Sequence, residues 1–286
     1  MFRDELIKKF STLEDLPTLP SIIFELERML SSDSTGIQEI AVVIEEDPAI
    51  AASVLRVANS VVYFSSMSGR IVSLRDALVR LGLQEVQRLV SAAAIIRAFE
   101  KLGHHLDMKT FWQQSLRAAV CMRMIARSAG AGVYIDEDEA YMAGLLHDIG
   151  LLILDQYFPD VYERIQTDIA SRALPRPEVE QTELGLCHGQ IGGLLLEEWN
   201  LPPELVAAVT WHNQPEQAPE DARLLASAVR AAEMITDMLE AEDETEEAMQ
   251  QITGQPFWEA ASFGPEAIAS VVTDTRQWST PVFALI

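Results

Sequence analysis

Apolar residues recur three and four positions apart along most of the chain, which is the spacing of one face of an α-helix. Alternating β-branched runs are few, and the Asn-Gly and Asp-Gly pairs typical of β-hairpins are absent from the sequence. Helix starts are marked as well. Asp47-Pro48 supplies a capping carboxylate followed by the residue that suits the first helical position, and Ser73 is placed to cap a later helix. The sequence therefore predicts an all-α fold.

The predicted helices fall into two groups. Five helices with short connections precede about residue 100. A polar segment at 101–107 follows, and its adjacent histidines, His104 and His105, are expected to be solvated. In the second group the apolar spacing predicts single helices over 138–157 and 177–199.

The last 40 or so residues are interrupted by glycine and proline, but they carry large aromatic side chains. Trp258, Phe263 and Trp278 are expected to pack back onto the helices before them. We therefore divide the chain into an N-terminal helical subdomain at 13–100, a second helical subdomain at 107–240, and an acidic segment with a C-terminal extension at 241–286.

The charge of the chain excludes several classes of protein. Lys and Arg number 21 against 44 Asp and Glu, a formal net charge of −23. Such a field repels phosphate backbones and anionic lipid surfaces, so we expect neither nucleic-acid nor membrane binding.

Cys121 and Cys187 lie in apolar helical contexts without metal-type spacing, which indicates a reducing compartment. With no signal-peptide pattern at the start, we expect a cytoplasmic protein.

The charge is also unevenly distributed. Residues 48–100 contain six arginines and three acids, a local balance of +3, whereas residues 237–247 contain seven acids and no base. The two regions can attract each other, or the basic one can receive an acidic partner. A solvated face without a partner is the simpler interpretation.

His147 and Asp148 interrupt the most apolar stretch of the sequence. Polar groups in such a setting are costly unless they are paired or bind a cation. Gly144 and Gly150 lie on either side, and glycine at these positions indicates that another helix backbone approaches closely. The chain thus combines a polar pair with tight helix packing.

His188 and His212 are candidates to complete a cation site with the His147-Asp148 pair. Histidines on facing helices build metal sites in helical bundles, and imidazole with carboxylate suits a divalent transition ion. The alternative for each histidine is a structural role as a hydrogen-bonded core residue. Competing motifs are missing, because the sequence has no nucleophile elbow and no phosphate-binding loop of the Gly-Lys-Ser/Thr type.

Five motifs, in order along the chain, resemble the HDOD family, bacterial output domains related to the HD superfamily of metal phosphohydrolases. They are Leu16-Pro17-x-x-Pro20, Asp47-Pro48-x-Ile50-x-x-x-Val54-Leu55-Arg56-x-x-Asn59-Ser60, Ile71-x-Ser73-Leu74-x-x-Ala77-x-x-x-Leu81-Gly82, His147-Asp148-Ile149-Gly150 and Trp199-x-Leu201-Pro202. The resemblance implies a five-helix N-terminal bundle packed against an HD-like helical subdomain. Within the bundle, Asn59 either ends a helix or hydrogen-bonds across to the second subdomain.

The resemblance also implies a ligand set: a first histidine, the His-Asp pair, additional histidines and a distal aspartate. His147 and Asp148 match the pair, and His188 and His212 match the additional histidines. The remaining positions depart from the family. Gln114 stands where the first histidine is expected, and Glu233 is the nearest match to the distal aspartate.

These departures disfavour catalysis, because Gln offers a neutral carbonyl in place of an imidazole. We therefore predict a non-catalytic signalling or regulatory module that acts through protein partners and has no certain cofactor. The alternative is a metal-dependent phosphohydrolase or phosphodiesterase with a divergent site. That site would hold a divalent transition ion through His147, Asp148, His188, His212 and Glu233. A nucleotide sensor using Arg56, Arg70 or Arg75 rests on local positive charge alone.

Overall fold

The computed structural model describes residues 3–13, 15–32, 35–63, 70–100, 105–130, 132–172, 174–242 and 245–286. Within these ranges all regular elements are helical, which confirms the all-α fold class. The α-helices are α1 Arg3–Phe10, α2 Ser21–Leu30, α3 Ile37–Glu45, α4 Pro48–Ala58, α5 Leu74–Leu81, α6 Leu83–Phe99, α7 Met108–Ser128, α8 Glu137–Leu146, α9 Ile149–Tyr157, α10 Pro159–Arg172, α11 Arg176–Leu184, α12 His188–Glu198, α13 Pro203–Trp211, α14 Arg223–Glu240, α15 Glu246–Thr253, α16 Pro256–Ala260 and α17 Pro265–Val282.

The chain forms two compact units. The larger unit comprises Met1–Leu16 and Leu102–Thr273, and the smaller unit comprises Pro17–Lys101 and Asp274–Ile286. The predicted boundaries at 13–100, 107–240 and 241–286 stay a prediction. None of the described helices combines the length and the apolar character that crossing a bilayer requires.

The smaller unit contains α2 to α6, and its helix starts follow local rules. The Asp47 carboxylate accepts hydrogen bonds from the backbone N–H groups of Ala49 and Ile50, so the predicted start of α4 is confirmed. Ser73 caps α5 in the same way through the N–H of Asp76. The long α6 is buried along most of its length and forms the centre of the unit.

Asn59 ends α4 and lies within the smaller unit together with all of its hydrogen-bond partners in the described chain. Its Nδ2 donates to the carbonyls of Leu55 and Ile71, and its Oδ1 accepts from the N–H of Ile71, each at 2.8 Å. These bonds fit a residue that ends a helix, and the alternative hydrogen bond from Asn59 to the second subdomain stays a prediction. The amide links the end of α4 to the segment before α5.

The larger unit is built on close contacts between helix backbones, as Gly144 and Gly150 predicted. A Cβ atom on Gly144 would lie 2.6 Å from the carbonyl oxygen of Ala118 in α7. On Gly150 it would lie 2.0 Å from the carbonyl oxygen of His188 in α12. Both distances are far below van der Waals contact, so only glycine allows these helices to approach as they do.

Two of the predicted helices are each divided in the structure. The predicted helix over 138–157 is α8 and α9, which are separated by His147 and Asp148. The predicted helix over 177–199 is α11 and α12, divided at Gly185, whose φ of 73° is left-handed. The apolar spacing continues through both breaks, and for that reason the sequence pattern did not reveal them.

The C-terminal aromatic residues pack as predicted. Trp258 is buried, contacts Phe263 at 5.1 Å between ring centroids, and donates its indole N–H to the carbonyl of Ile252 at 2.7 Å. Trp278 belongs to the smaller unit, where its ring lies 5.4 Å from that of Tyr63.

The prediction that both linker histidines are solvated can be checked for His105 but not for His104. His104 lies outside the described residues. The His105 side chain is exposed as expected, but its ring Nδ1 lies 3.2 Å from the buried carboxylate of Asp155. The same carboxylate accepts hydrogen bonds from the backbone N–H groups of His105 and Leu106. Asp155 therefore anchors the chain where the larger unit resumes.

Candidate metal centre

His147 and Asp148 occupy the turn between α8 and α9. Consecutive side chains of a continuous helix point about 100° apart, since the helix has 3.6 residues per turn. At this break the two side chains come together, with His147 Nε2 3.4 Å from Asp148 Oδ2. The Asp148 carboxylate makes no capping hydrogen bond to α9, which leaves it directed toward the histidines.

Two further imidazoles reach the Asp148 carboxylate. His188 is the first residue of α12, and its Nε2 lies 3.0 Å from Asp148 Oδ1. His212 directly follows α13, and its Nε2 lies 3.9 Å from the same oxygen and 3.2 Å from His188 Nε2. One ligand atom from each of Asp148, His188 and His212 thus lies within 4.8 Å of the others.

The opposite nitrogen of each ring faces a hydrogen-bond acceptor. Nδ1 of His147 lies 2.8 Å from the carbonyl oxygen of Gly144, and Nδ1 of His212 lies 2.7 Å from that of Val209. Nδ1 of His188 lies 2.7 Å from the Glu180 carboxylate. These partners favour a proton on Nδ1 and leave the Nε2 lone pair directed inward, which is how metal-binding histidines are commonly oriented.

In the cluster, the attraction between imidazolium and carboxylate groups competes with the cost of burying their charges. Although burial disfavours the imidazolium, Asp148 raises the pKa of His147 to about 9. Burial likewise opposes the charge on His188, yet Glu180 and Asp148 raise its pKa well above the ordinary value. For His212 burial prevails and lowers the pKa to about 4. Burial works against the Asp148 carboxylate, but His147 and His188 hold its pKa well below the usual range.

These residues fit a divalent transition ion. Imidazole nitrogens and one carboxylate are ligands that zinc and iron accept, and a cation can replace the protons that the clustered rings otherwise share. The side chain of Asn213 lies beside two of these candidate ligands. Its Nδ2 lies 3.1 Å from Nε2 of His188 and 2.7 Å from Nε2 of His212, while its buried Oδ1 has no hydrogen-bond partner among the described residues.

The two positions that depart from the family have other partners. The Gln114 amide donates to the carboxylate of Glu240, and the Glu233 carboxylate accepts a hydrogen bond from Arg230 at 2.7 Å. Gln114 and Glu233 both line the cavity that reaches Asp148, but neither contributes to the group of ligand atoms within 4.8 Å. The structure thus brings together His147, Asp148, His188 and His212, and places Glu233 beside them.

Three residues of the site were missed in the sequence. Glu180 resembles any other helical acid in its segment, although it is fully buried. Asn213 directly follows His212, and this adjacency is the one signal that points to it. Asp237 was assigned to the acidic run, but it lies four residues after Glu233 on α14 and lines the same cavity. Its spacing from Glu233 is the signal that could have identified it.

The cavity in front of the cluster has a volume of about 920 Å³, enough for a nucleotide-sized molecule. Asp148 and His188 lie at its wall, together with the guanidinium groups of Arg176 and Arg230. The arrangement combines candidate cation ligands with groups that attract anions.

Comparison with known proteins identifies relatives over most of the chain. The family model of the HDOD domain matches residues 16–215. An uncharacterised protein of Treponema pallidum (strain Nichols) is 26% identical over 230 residues, which cover 80% of this chain and 44% of the relative. The chain therefore spans less than half the length of that curated relative.

Solved structures share the fold. An HDOD domain protein of unknown function from Geobacter sulfurreducens has a TM-score of 0.82 and 23% identity, covering 99% of this chain and 98% of its own. A candidate phosphohydrolase from Shewanella amazonensis SB2B has a TM-score of 0.76 and 25% identity, covering 98% and 96%. A candidate signal transduction protein from Marinobacter aquaeolei VT8 has a TM-score of 0.75 and 22% identity, covering 99% of this chain and 64% of that protein.

Proposed function

Since the chain belongs to the HDOD family of HD-related, signal-transduction-associated domains, we propose that it is a non-catalytic regulatory module. It acts by contacts with protein partners in bacterial signal transduction, and it works in the cytoplasm. The acidic character of the chain supports a protein partner over nucleic acid or a membrane surface.

One observation carries the non-catalytic assignment: the two positions that depart from the HD pattern are engaged elsewhere. Gln114 pairs with Glu240, and Glu233 pairs with Arg230. A glutamine carbonyl is a poor substitute for imidazole, and the additional methylene of Glu displaces its carboxylate by about 1.5 Å relative to Asp. The site thus has glutamine and glutamate where the superfamily pattern has histidine and aspartate, which supports a role without catalysis.

The remaining cluster is proposed to hold a cation without turnover. Asp148, His188 and His212 would supply the ligand atoms, and His147 would support Asp148 from the side. When bound, such an ion supplies Lewis acidity toward a phosphoryl group. Glu180 keeps His188 oriented, and His147 and His188 hold the Asp148 carboxylate in its charged form.

The test of the proposal is the purified protein assayed with manganese, iron or magnesium. We expect no hydrolysis of nucleotides or cyclic dinucleotides above a metal-only control. Robust hydrolysis that is lost in Asp148→Ala would overturn the non-catalytic assignment. Native-host pull-down with the intact chain is expected to recover a protein partner, and recovery must persist in Asp148→Ala.

The second candidate is a metal-dependent phosphohydrolase with a divergent site. It is favoured by the cavity of about 920 Å³, which places Arg176, Arg230 and Asp237 in front of Asp148 and His188. Metal analysis of the purified protein with and without His147→Ala tests this second candidate. A phosphohydrolase requires a transition ion at micromolar affinity that the variant weakens. Absence of such an ion rules the hydrolase out and leaves the regulatory proposal standing.

A further inference from the structure

In the smaller unit, a short extended segment before α5 is held in place by Asn59. The Asn59 amide pairs with both the N–H and the carbonyl of Ile71, each at 2.8 Å. Ile71 is buried, whereas its neighbours Arg70 and Val72 are exposed, as alternate residues of an extended segment are. By holding Ile71, Asn59 therefore keeps the cationic side chain of Arg70 and the apolar side chain of Val72 on the outside of the unit.

Helix α5 continues this pattern. Arg75 and Val79 are four residues apart, so they are neighbours on one helix face, and both are exposed. Val72 is 78% exposed and Val79 is 68% exposed. We refer to Arg70, Val72, Arg75 and Val79 as the Arg70–Val79 surface. A single exposed valine needs no explanation, but two of them beside two arginines form a mixed apolar and basic surface.

The surface contains two depressions that side chains of a partner can fill. One depression of about 550 Å³ lies toward α4 and is lined by Leu55, Asn59 and Val72 among others. Another, of about 370 Å³, lies along α5 and is lined by Asp76 and Val79 among others. Arg70 and Ile71 line both, so the two depressions adjoin at the segment that Asn59 holds.

The arginines of the surface are available to a partner. In the part of the chain that the structure describes, Arg70 and Arg75 make neither a hydrogen bond nor an ion pair. The region 48–100 carries a local charge of +3 in a chain whose net charge is −23. Because the Debye length is about 8 Å at physiological salt, the local charges decide what docks here. They favour an acidic partner.

We propose that the Arg70–Val79 surface docks an acidic, amphipathic segment of a partner protein. Apolar side chains of that segment enter the two depressions, and its carboxylates pair with Arg70 and Arg75. The inference rests on the proposed protein-binding function. A nucleic acid fits less well, because a phosphate backbone gains nothing from the two valines and is repelled by the acidic remainder of the protein.

Because Asn59 already fixes the segment, docking costs little ordering of this side of the interface. The four side chains are exposed, so substituting them leaves the core of the unit intact.

The experiment places the photo-crosslinking residue p-benzoylphenylalanine at position 72 or 79 of the full chain in its native host. Position 24 on α2 is the control, because Phe24 is also an exposed apolar residue of the smaller unit. We expect both 72 and 79 to cross-link to one acid-rich peptide of one partner protein, as mass spectrometry identifies it. We expect no such cross-link from position 24.

Charge-reversal variants provide a second test in the same cross-linking experiment. Arg70→Glu with Arg75→Glu is expected to reduce the cross-link yield on the order of tenfold, since it replaces two attractive charge contacts by repulsive ones. Arg28→Glu on α2 reverses one charge at an exposed site away from this surface and is expected to have no effect. Changing the cross-linked acids of the partner to arginine should recover the yield with the reversed variant.

The proposal is overturned if positions 72 and 79 capture a basic or neutral peptide, nucleic acid, lipid, a second copy of this chain, or nothing. A partner that still co-purifies while these positions remain unlinked contradicts the surface but not the protein-binding function. Hydrolytic activity with no partner recovered at all contradicts the function itself.

Discussion

Glu180 holds His188 by two hydrogen bonds, one from the backbone N–H at 2.8 Å and one with ring Nδ1 at 2.7 Å. The carboxylate is fully buried on α11, eight residues before the histidine. A buried carboxylate with fixed partners constrains the ring that it contacts. Glu180 thereby determines which nitrogen of His188 faces Asp148.

Substituting Glu180 should weaken cation binding. In Glu180→Gln the negative charge that supports His188 is lost, so we expect affinity for zinc or manganese to fall about 10–100-fold. Isothermal titration calorimetry measures the affinity. Glu197→Gln, an exposed change on α12, is the control and should leave it unchanged. Equal affinities of the two variants would mean that Glu180 does not orient the ligand.

Adding a methyl group to Gly150 should disrupt the larger unit. Its Cβ would lie 2.0 Å from the carbonyl oxygen of His188, so α9 and α12 must separate. We expect Gly150→Ala to lower the free energy of unfolding by at least about 1–3 kcal/mol. Chemical denaturation gives the value. Gly264→Ala is the matched control, because no atom lies within 4 Å of the added Cβ. Similar stability of both variants would contradict the close approach.

Removing the Asn59 amide should loosen the segment before α5. Asn59→Ala removes side-chain hydrogen bonds to Leu55 and Ile71 and deprives the part-buried N–H and carbonyl of Ile71 of these partners. We expect a loss of about 1–3 kcal/mol in stability and faster hydrogen exchange at the Ile71 amide. Gln84→Ala on the exposed side of α6 removes a similar side chain and should change neither. An unchanged exchange rate at Ile71 would show that Asn59 does not hold the segment.

Restoring the ligands of the HD pattern should strengthen the site. Gln114→His with Glu233→Asp supplies an imidazole and a shorter carboxylate in the cavity that reaches Asp148. We expect cation affinity to increase at least about tenfold, equivalent to roughly 1.4 kcal/mol. Metal content after dialysis is the measurement, and Gln114→Asn is the control. No gain would show that these two positions do not limit cation affinity.

The sequence predicted those features that depend on neighbours along the chain. The caps of Asp47 and Ser73 and the helical class all follow from local chemistry. Gly144 and Gly150 indicated close helix contacts because glycine is otherwise unfavourable in a helix. These predictions needed no knowledge of which helix lies opposite.

The remaining features depend on contacts between distant segments. The apolar spacing does not indicate the helix break at His147, because it continues from α8 into α9. Glu180 is buried because of what packs over α11, and Asp237 faces the cavity because of how α14 is oriented. The segment of Glu180 carries no sign of this, and that of Asp237 carries only its four-residue spacing from Glu233, so neither residue was predicted for the site.

The candidate ligands come from three separated parts of the chain: the turn after α8, the start of α12 and the end of α13. An ion held by them is therefore bound only while all of these helices are folded together. Its binding free energy adds to that of folding, by about 2.7 kcal/mol when the free ion is at 100 times its Kd. The supply of the ion would then control how long the larger unit survives proteolysis in the cell, and a site that performs no chemistry would still tie protein abundance to metal availability.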